Sequence, residues 1–163
     1  RLRRRPEPRL HRAPLRARAG ARSFAGVVST SANEIRRGGM VGRYVVHAEQ
    51  RYVEEIFEGE VTLLGAAALL EAALADPAMD PGFDGLVDLR AAQLKLSYED
   101  VRQIAHGLRN DHRASRGYWA FVVSSSLSHG IVRMFEALSD DAITVQIFRD
   151  HDEALAWLLS RRA

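Results

Sequence analysis

From residue 85 onward, short apolar runs alternate with longer amphipathic stretches, and this alternation restricts the chain more than any motif it carries. GLVDLR (85–90), YWAFVV (118–123) and ITVQIF (143–148) are apolar and of strand length. The stretches after them run to ten or more residues with apolar positions at helical spacing. Strands joined through helices of that length imply right-handed crossovers and a largely parallel sheet. Upstream, RYVVHA (43–48) and RYVEEIF (51–57) are rich in β-branched and aromatic side chains and are separated by Glu49 and Gln50, so they read as an antiparallel hairpin. Residues 62–75 are helical by length and Ala/Leu content, and Asp76, Pro77, Asp80, Pro81 and Gly82 end that helix. The expected fold is a single α/β domain in the order β-β-α-β-α-β-α-β-α. Its mixed sheet has an N-terminal antiparallel hairpin and three largely parallel strands alternating with four helices.

Two helix starts carry their own signal. Ser97 precedes Asp100 by three residues and Asp150 precedes Glu153 by three, the spacing at which a side chain caps a helix N-terminus. Tyr98, Val101, Ile104, Ala105 and Leu108 then form one apolar stripe. Leu127, Ile131, Met134, Phe135 and Leu138 mark the third helix, and Leu155, Trp157 and Leu158 are expected to face inward in the last. YWAFVV is too continuously apolar to have a wet face. The first helix is apolar nearly all round, with Glu71 its sole interior charge, and is expected to be covered on more than one side. The second cover is a further subunit, the 77–83 loop or an apolar ligand.

Charge divides the chain at Met40. Residues 1–39 hold 11 of the 23 basic side chains against Glu7 and Glu34, a net +9; the whole chain carries +2, which leaves −7 for residues 40–163. With apolar residues only at Leu2, Leu10, Leu15, Phe24, Val27, Val28 and Ile35, residues 1–39 cannot bury a core and are expected to be disordered, the domain being residues 40–163. The preferred account is translation read from too far upstream, with Arg36, Arg37, Gly38 and Gly39 a misread ribosome-binding site before a true start at Met40. A transit peptide and a genuine basic arm with salt-sensitive affinity for phosphates are the other two. A secretory signal fits worst, because the apolar stretch 24–28 is short and Arg22 adjoins it. Nucleic acid is not an expected partner of the acidic domain.

The chain has no cysteine, which excludes disulfides, thiol nucleophiles and thiolate metal sites. The greasiest run spans 15 residues and ends at Asp76, too short for a bilayer, so a cytoplasmic protein is expected. His106 and His112 are six residues apart and fall on different helix faces, and His47 lies in a strand, so no metal site is expected. The glycines match neither dinucleotide nor phosphate-loop spacing, so no cofactor is expected. A hydrolase assembled from the serines at 124–130, His129 or His151, and Asp88 or Asp150 lacks the G-x-S-x-G elbow that would expose its nucleophile, so the chain reads as no enzyme.

Ligands in open α/β sheets favour the carboxyl ends of the strands. That rule selects Asp88 and Arg90, the segment with Ser124, Ser126, Ser128, His129 and Gly130, and Arg149 beside Asp150. Hydroxyls and free amides at a helix start hold an anion when Arg90, Arg133 or Arg149 supplies counter-charge. The bland reading of the same serines is a strand-to-helix turn that caps backbone N–H groups.

Taken together, GLVDLR with the capped helix after it, the run VTLLGAAALLEAALADPAMDPGF leading to a strand that ends Asp88-Leu89-Arg90, Gly130 and Arg133 in the third helix, and Phe148, Arg149, Asp150 and Trp157 at the close resemble the SpoIIAA-like (STAS/SEC14-type) domain family, over about residues 43–160. The resemblance implies a small mixed-sheet domain, usually standing alone in bacteria. Relatives of this fold serve as anti-sigma-factor antagonists, cytoplasmic domains of anion transporters and lipid-transfer domains. In the antagonists a phosphorylated serine sits at the start of the helix after the Asp-Leu strand, within Asp-Ser-Ser-Gly. Ser97 falls at that place, but Leu96 replaces the Asp, Tyr98 and Glu99 replace the Ser-Gly, and Glu99 and Asp100 would repel a phosphate; the competing reading is a plain N-cap. The function expected is a non-enzymatic cytoplasmic regulatory or binding domain acting through protein contacts with an unknown partner or as a homodimer. The alternative is a carrier or sensor of an apolar, lipid-like or anionic small ligand at the carboxyl edge of the sheet.

Overall fold

A computed structural model describes residues 32–114, 116–140 and 142–161 of the chain. Its strands are β1 (Ala32–Arg37), β2 (Met40–His47), β3 (Tyr52–Val61), β4 (Asp84–Leu94), β5 (Tyr118–Val122) and β6 (Thr144–Phe148), and its helices are α1 (Leu63–Leu74), α2 (Tyr98–Asn110), α3 (Ser126–Leu138) and α4 (His151–Ser160). The six strands form one sheet in sequence order, with β2 antiparallel to both β1 and β3, and β3 to β6 parallel. The expected α/β architecture is therefore present, with one strand more than the sequence suggested.

That extra strand lies ahead of the boundary expected at Met40. Residues 32–37 pair along β2 with Arg37 opposite Met40, and Gly38 and Gly39 make the turn between them. Gly38 has φ +59°, the left-handed conformation that favours glycine at the first central position of a hairpin turn. Arg36, Arg37, Gly38 and Gly39 thus form the tip of a hairpin. Met40 is 1% exposed and packs its thioether against Gly65 of α1. Most of the expected basic arm, residues 1–31, lies outside the described residues, and with it the transit-peptide and phosphate-binding readings.

Handedness distributes the helices. Successive parallel strands laid side by side through crossovers of one hand put every connecting helix on the same face. Accordingly α1, α2 and α3 cover one face around Val53, Phe57, Leu69, Val87 and Phe121. Helix α4 follows the edge strand β6 and closes the other face, where Ala154 and Leu158 meet Leu86, Ala120 and Val122. Strand β5 is covered on both sides, as its unbroken apolar run requires. Fully burying a side chain such as Leu69 contributes roughly 1.5–3 kcal/mol, and Leu69 is 0% exposed. On this face Trp119 lies over Gly85, and a Cβ there would sit 2.3 Å from its indole ring. Among the described residues no helix is long and apolar enough to cross a membrane.

Candidate functional site

The rule that selected the carboxyl edge rests on a reversal of strand order, where neighbouring helices part to opposite faces and open a crevice. Here β1 to β6 lie in sequence order, and no reversal occurs. At that edge Asp88 accepts from the Arg90 guanidinium at 2.7–3.2 Å and from the Arg90 backbone N–H at 3.0 Å. Burial of Asp88 opposes its ionisation, but Arg90 and the nearby His151 outweigh it and hold the carboxyl below the usual Asp value. The Ser124 hydroxyl donates to the Arg90 carbonyl at 2.8 Å, which joins these three residues.

The other candidates are not drawn into this group. The segment expected as a turn is mostly helix: Ser125 is the N-cap of α3, accepting from the Ser128 backbone N–H at 3.0 Å and donating to the Ser128 hydroxyl at 2.9 Å. Ser126, His129 and Gly130 stand in the first turns of α3, and Arg133 farther along pairs with Glu136 on its exposed side. Arg149 is exposed between β6 and α4. Ser97 caps α2: its hydroxyl accepts from the Asp100 backbone N–H at 3.2 Å, while its own backbone N–H donates to the Asp100 carboxylate at 2.8 Å. Asp150 caps α4 in the same way, accepting from the Glu153 backbone N–H at 3.0 Å.

A different site lies under the helices. Between the sheet and α1, α2 and α3 is a cavity of about 90 Å³ whose walls are apolar at every position except Glu55. Strand parity puts Val53, Glu55 and Phe57 on this covered face. Glu55 is 3% exposed. Burial alone pushes its carboxyl up to about 7, because an apolar wall offers the charged form nothing in place of water. Trp119 lines the same cavity, and its buried indole N–H has no acceptor. Sequence reasoning missed Glu55. The signal was the doubled acid in RYVEEIF: in a strand covered on one face, one of two adjacent residues must point inward.

Glu54, on the opposite face, is fully engaged. One carboxylate oxygen meets His151 Nε2 at 2.7 Å and the other meets His47 Nε2 at 3.4 Å. Burial disfavours the charged form of His151, but its bonds to Glu54 and Asp152 outweigh this and raise its pKa. His47 stacks on Tyr52 at 4.3 Å between ring centroids, and burial with the nearby Glu54 charge pushes the Tyr52 hydroxyl up to about 12. This cluster ties the first turn of α4 to β3. No group of three or more His, Asp or Glu side chains among the described residues is placed to hold a metal ion.

The arrangement defines a mixed-sheet α/β domain with three helices on one face and one on the other. No protein-family model matches the chain, and no curated protein matches it. Among solved structures it is similar to an uncharacterized protein of the DUF3478 family with a SpoIIAA-like fold from Shewanella loihica PV-4, at 20% identity, covering 78% of this chain and 92% of that one, with a TM-score of 0.46. The neighbour carries the fold name that the sequence resembles.

Proposed function

We propose that this domain binds a small, mostly apolar molecule in the cavity beneath α1, α2 and α3, as a carrier or sensor and without catalysing a reaction. The observation that carries the reading is the cavity itself, about 90 Å³ between the sheet and the three helices, with an apolar lining that includes the buried residue Glu55. A mainly apolar pocket with very few polar groups to fix orientation is the usual form of a small-molecule site. The ligand site expected at the carboxyl edge accordingly moves to the helix-covered face. Native mass spectrometry on the full chain should reveal a co-purifying small molecule that leaves on denaturation and is absent from Glu55→Leu. Ligand-free protein from every host tried, with no small molecule raising its melting temperature, would sink the reading.

Protein contact has one observation in its favour. Leu64, Tyr98 and Leu127 stand exposed in the first turns of α1, α2 and α3. All three turns follow parallel strands and therefore lie at one end of the helical layer. Apolar side chains gathered at one end of a molecule suit a protein partner or a second copy. Sedimentation velocity would test the homodimer form: Leu64→Asp with Leu127→Asp should convert a dimer to monomer, and a monomeric parent would exclude it.

A further inference from the structure

We propose that the outer edge of β6 is where a second copy of this chain docks, the two β6 strands pairing antiparallel about a two-fold axis at Gln146. The inference is independent of the cavity reading, and it uses a different surface from Leu64, Tyr98 and Leu127. Among the described residues, the strand order leaves one side of β1 and one side of β6 unpaired. Such an edge presents backbone N–H and C=O groups to any passing strand, and proteins usually guard it with charge, proline or a bulge. Edge β1 is guarded: ANEIRR carries Glu34, Arg36 and Arg37, with the Glu34 and Arg36 side chains 2.7 Å apart. Edge β6 is not. TVQIF has no charge and no proline, and its register with β5 runs unbroken from Thr144 to Phe148.

The ladder fixes the pairing. The Thr144 N–H donates to the Gly117 carbonyl at 3.1 Å, and the Phe148 carbonyl accepts from the Val123 N–H at 3.0 Å, so Thr144, Gln146 and Phe148 turn their backbone groups toward β5. Val145 and Ile147 turn theirs outward. An antiparallel second β6 centred on Gln146 sets Val145 against the partner's Ile147 and Ile147 against the partner's Val145, each pair exchanging both backbone bonds. Their side chains belong to the core under α3, so apolar meets apolar on that face. On the α4 face Thr144 meets the partner's Phe148, and Gln146 meets its own copy.

Charge decides who the partner is. Residues 40–163 carry a net −7, so two copies repel over most approaches. In this register Arg149 falls opposite the partner's Ile143 and Asp150 opposite the partner's Ala142, so no like charges oppose each other along the strip. A two-fold contact needs a surface that complements itself, and this strand does. Trp157 adds an anchor beside it. On one side of α4, His151 reaches Glu54 of β3; on the other, the half-buried Trp157 lies against Phe148 of β6 with ring centroids 5.6 Å apart. Tryptophan is among the side chains that dominate contacts between proteins.

The chain has no cysteine, so Gln146→Cys supplies its sole thiol. At the axis the two copies of that residue form a non-hydrogen-bonded pair with Cα atoms about 4.5 Å apart, within disulfide reach. Thr144→Cys would stand roughly 13 Å from its counterpart along the strands. On air oxidation of the full chain, Gln146→Cys should therefore become a disulfide-linked dimer roughly tenfold or more faster than Thr144→Cys, because pairing raises the effective thiol concentration. Sedimentation velocity should show the parent as a dimer. Gln146 is exposed, so Gln146→Lys spares the monomer fold. It should weaken the dimer roughly 5-fold by setting like charges directly opposite, and added salt should restore part of the loss. Leu64→Asp with Leu127→Asp should leave this dimer intact. A monomeric parent, equal rates for the two cysteines, or a dimer dissolved by Leu64→Asp with Leu127→Asp but not by Gln146→Lys would overturn the proposal, and each leaves the cavity reading standing.

Discussion

Glu54 and Glu55 are neighbours on one strand, and the fold treats them in opposite ways. Glu54 faces the side closed by α4 and lies between His151 and His47. Glu55 faces the side covered by three helices and has only apolar walls. The same side chain is a structural tie on one face and is set among apolar neighbours on the other. Partner supply makes the difference, since a carboxylate is stable in a protein only when hydrogen bonds or opposite charge replace its water.

The harshest way to break the contrast is to destroy the cavity wall. Gly85→Ala sets a Cβ 2.3 Å from the Trp119 ring, and overpacking of this kind costs about 3 kcal/mol or more. Urea denaturation should show the loss as a lower midpoint. Next in size is the charge of Glu55. A folded pKa of about 7 against 4.5 in the unfolded chain means that the unfolded state releases its proton first as pH rises. Stability should therefore fall between pH 4.5 and 7, by roughly 3 kcal/mol. Glu55→Gln should flatten that slope, and an unchanged slope in the variant would show that Glu55 does not titrate as stated.

Glu54→Gln should do the reverse. It removes a charge-assisted bond to His151 and should cost roughly 1–2 kcal/mol at pH 6. A histidine whose folded pKa is raised stabilises fully below its unfolded value of 6.5 and loses that contribution as pH climbs through the folded value. The cost of Glu54→Gln should thus shrink above pH 7, measured by thermal melts at pH 6 and 8. The two acids then separate by pH window as well as by sign. Smallest is Ser97→Ala, which should cost about 1 kcal/mol as the loss of a cap. The Ser97 hydroxyl is exposed and bonds to Asp100, not to either glutamate, so both pH slopes should stay intact; a changed slope would mean that the first turn of α2 is needed to hold the wall around Glu55.

Much of the fold was legible because its signals are local. The caps at Ser97 and Asp150 form as their spacing requires, and β5 is covered on both faces as its apolar run demands. Strand β1 was not legible from composition, because ANEIRR carries one large apolar residue and its charges suit an exposed edge strand. Gly38-Gly39 was the available clue, a two-residue turn between potential strands. The site was less legible still. Carboxyl-edge reasoning assumed a reversal of strand order that this sheet lacks, and the serines of 124–130 largely cap and begin α3.

The sequence by itself determined that strands alternate with helices, where two of those helices begin, and that Glu54 and Glu55 point to opposite faces, since these follow from neighbours a few residues apart. Only the tertiary structure decided which glutamate became the buried one. That choice depends on the face to which the crossovers send α1, α2 and α3 and on α4 bringing His151 to the other, and both come from packing between segments far apart in the chain.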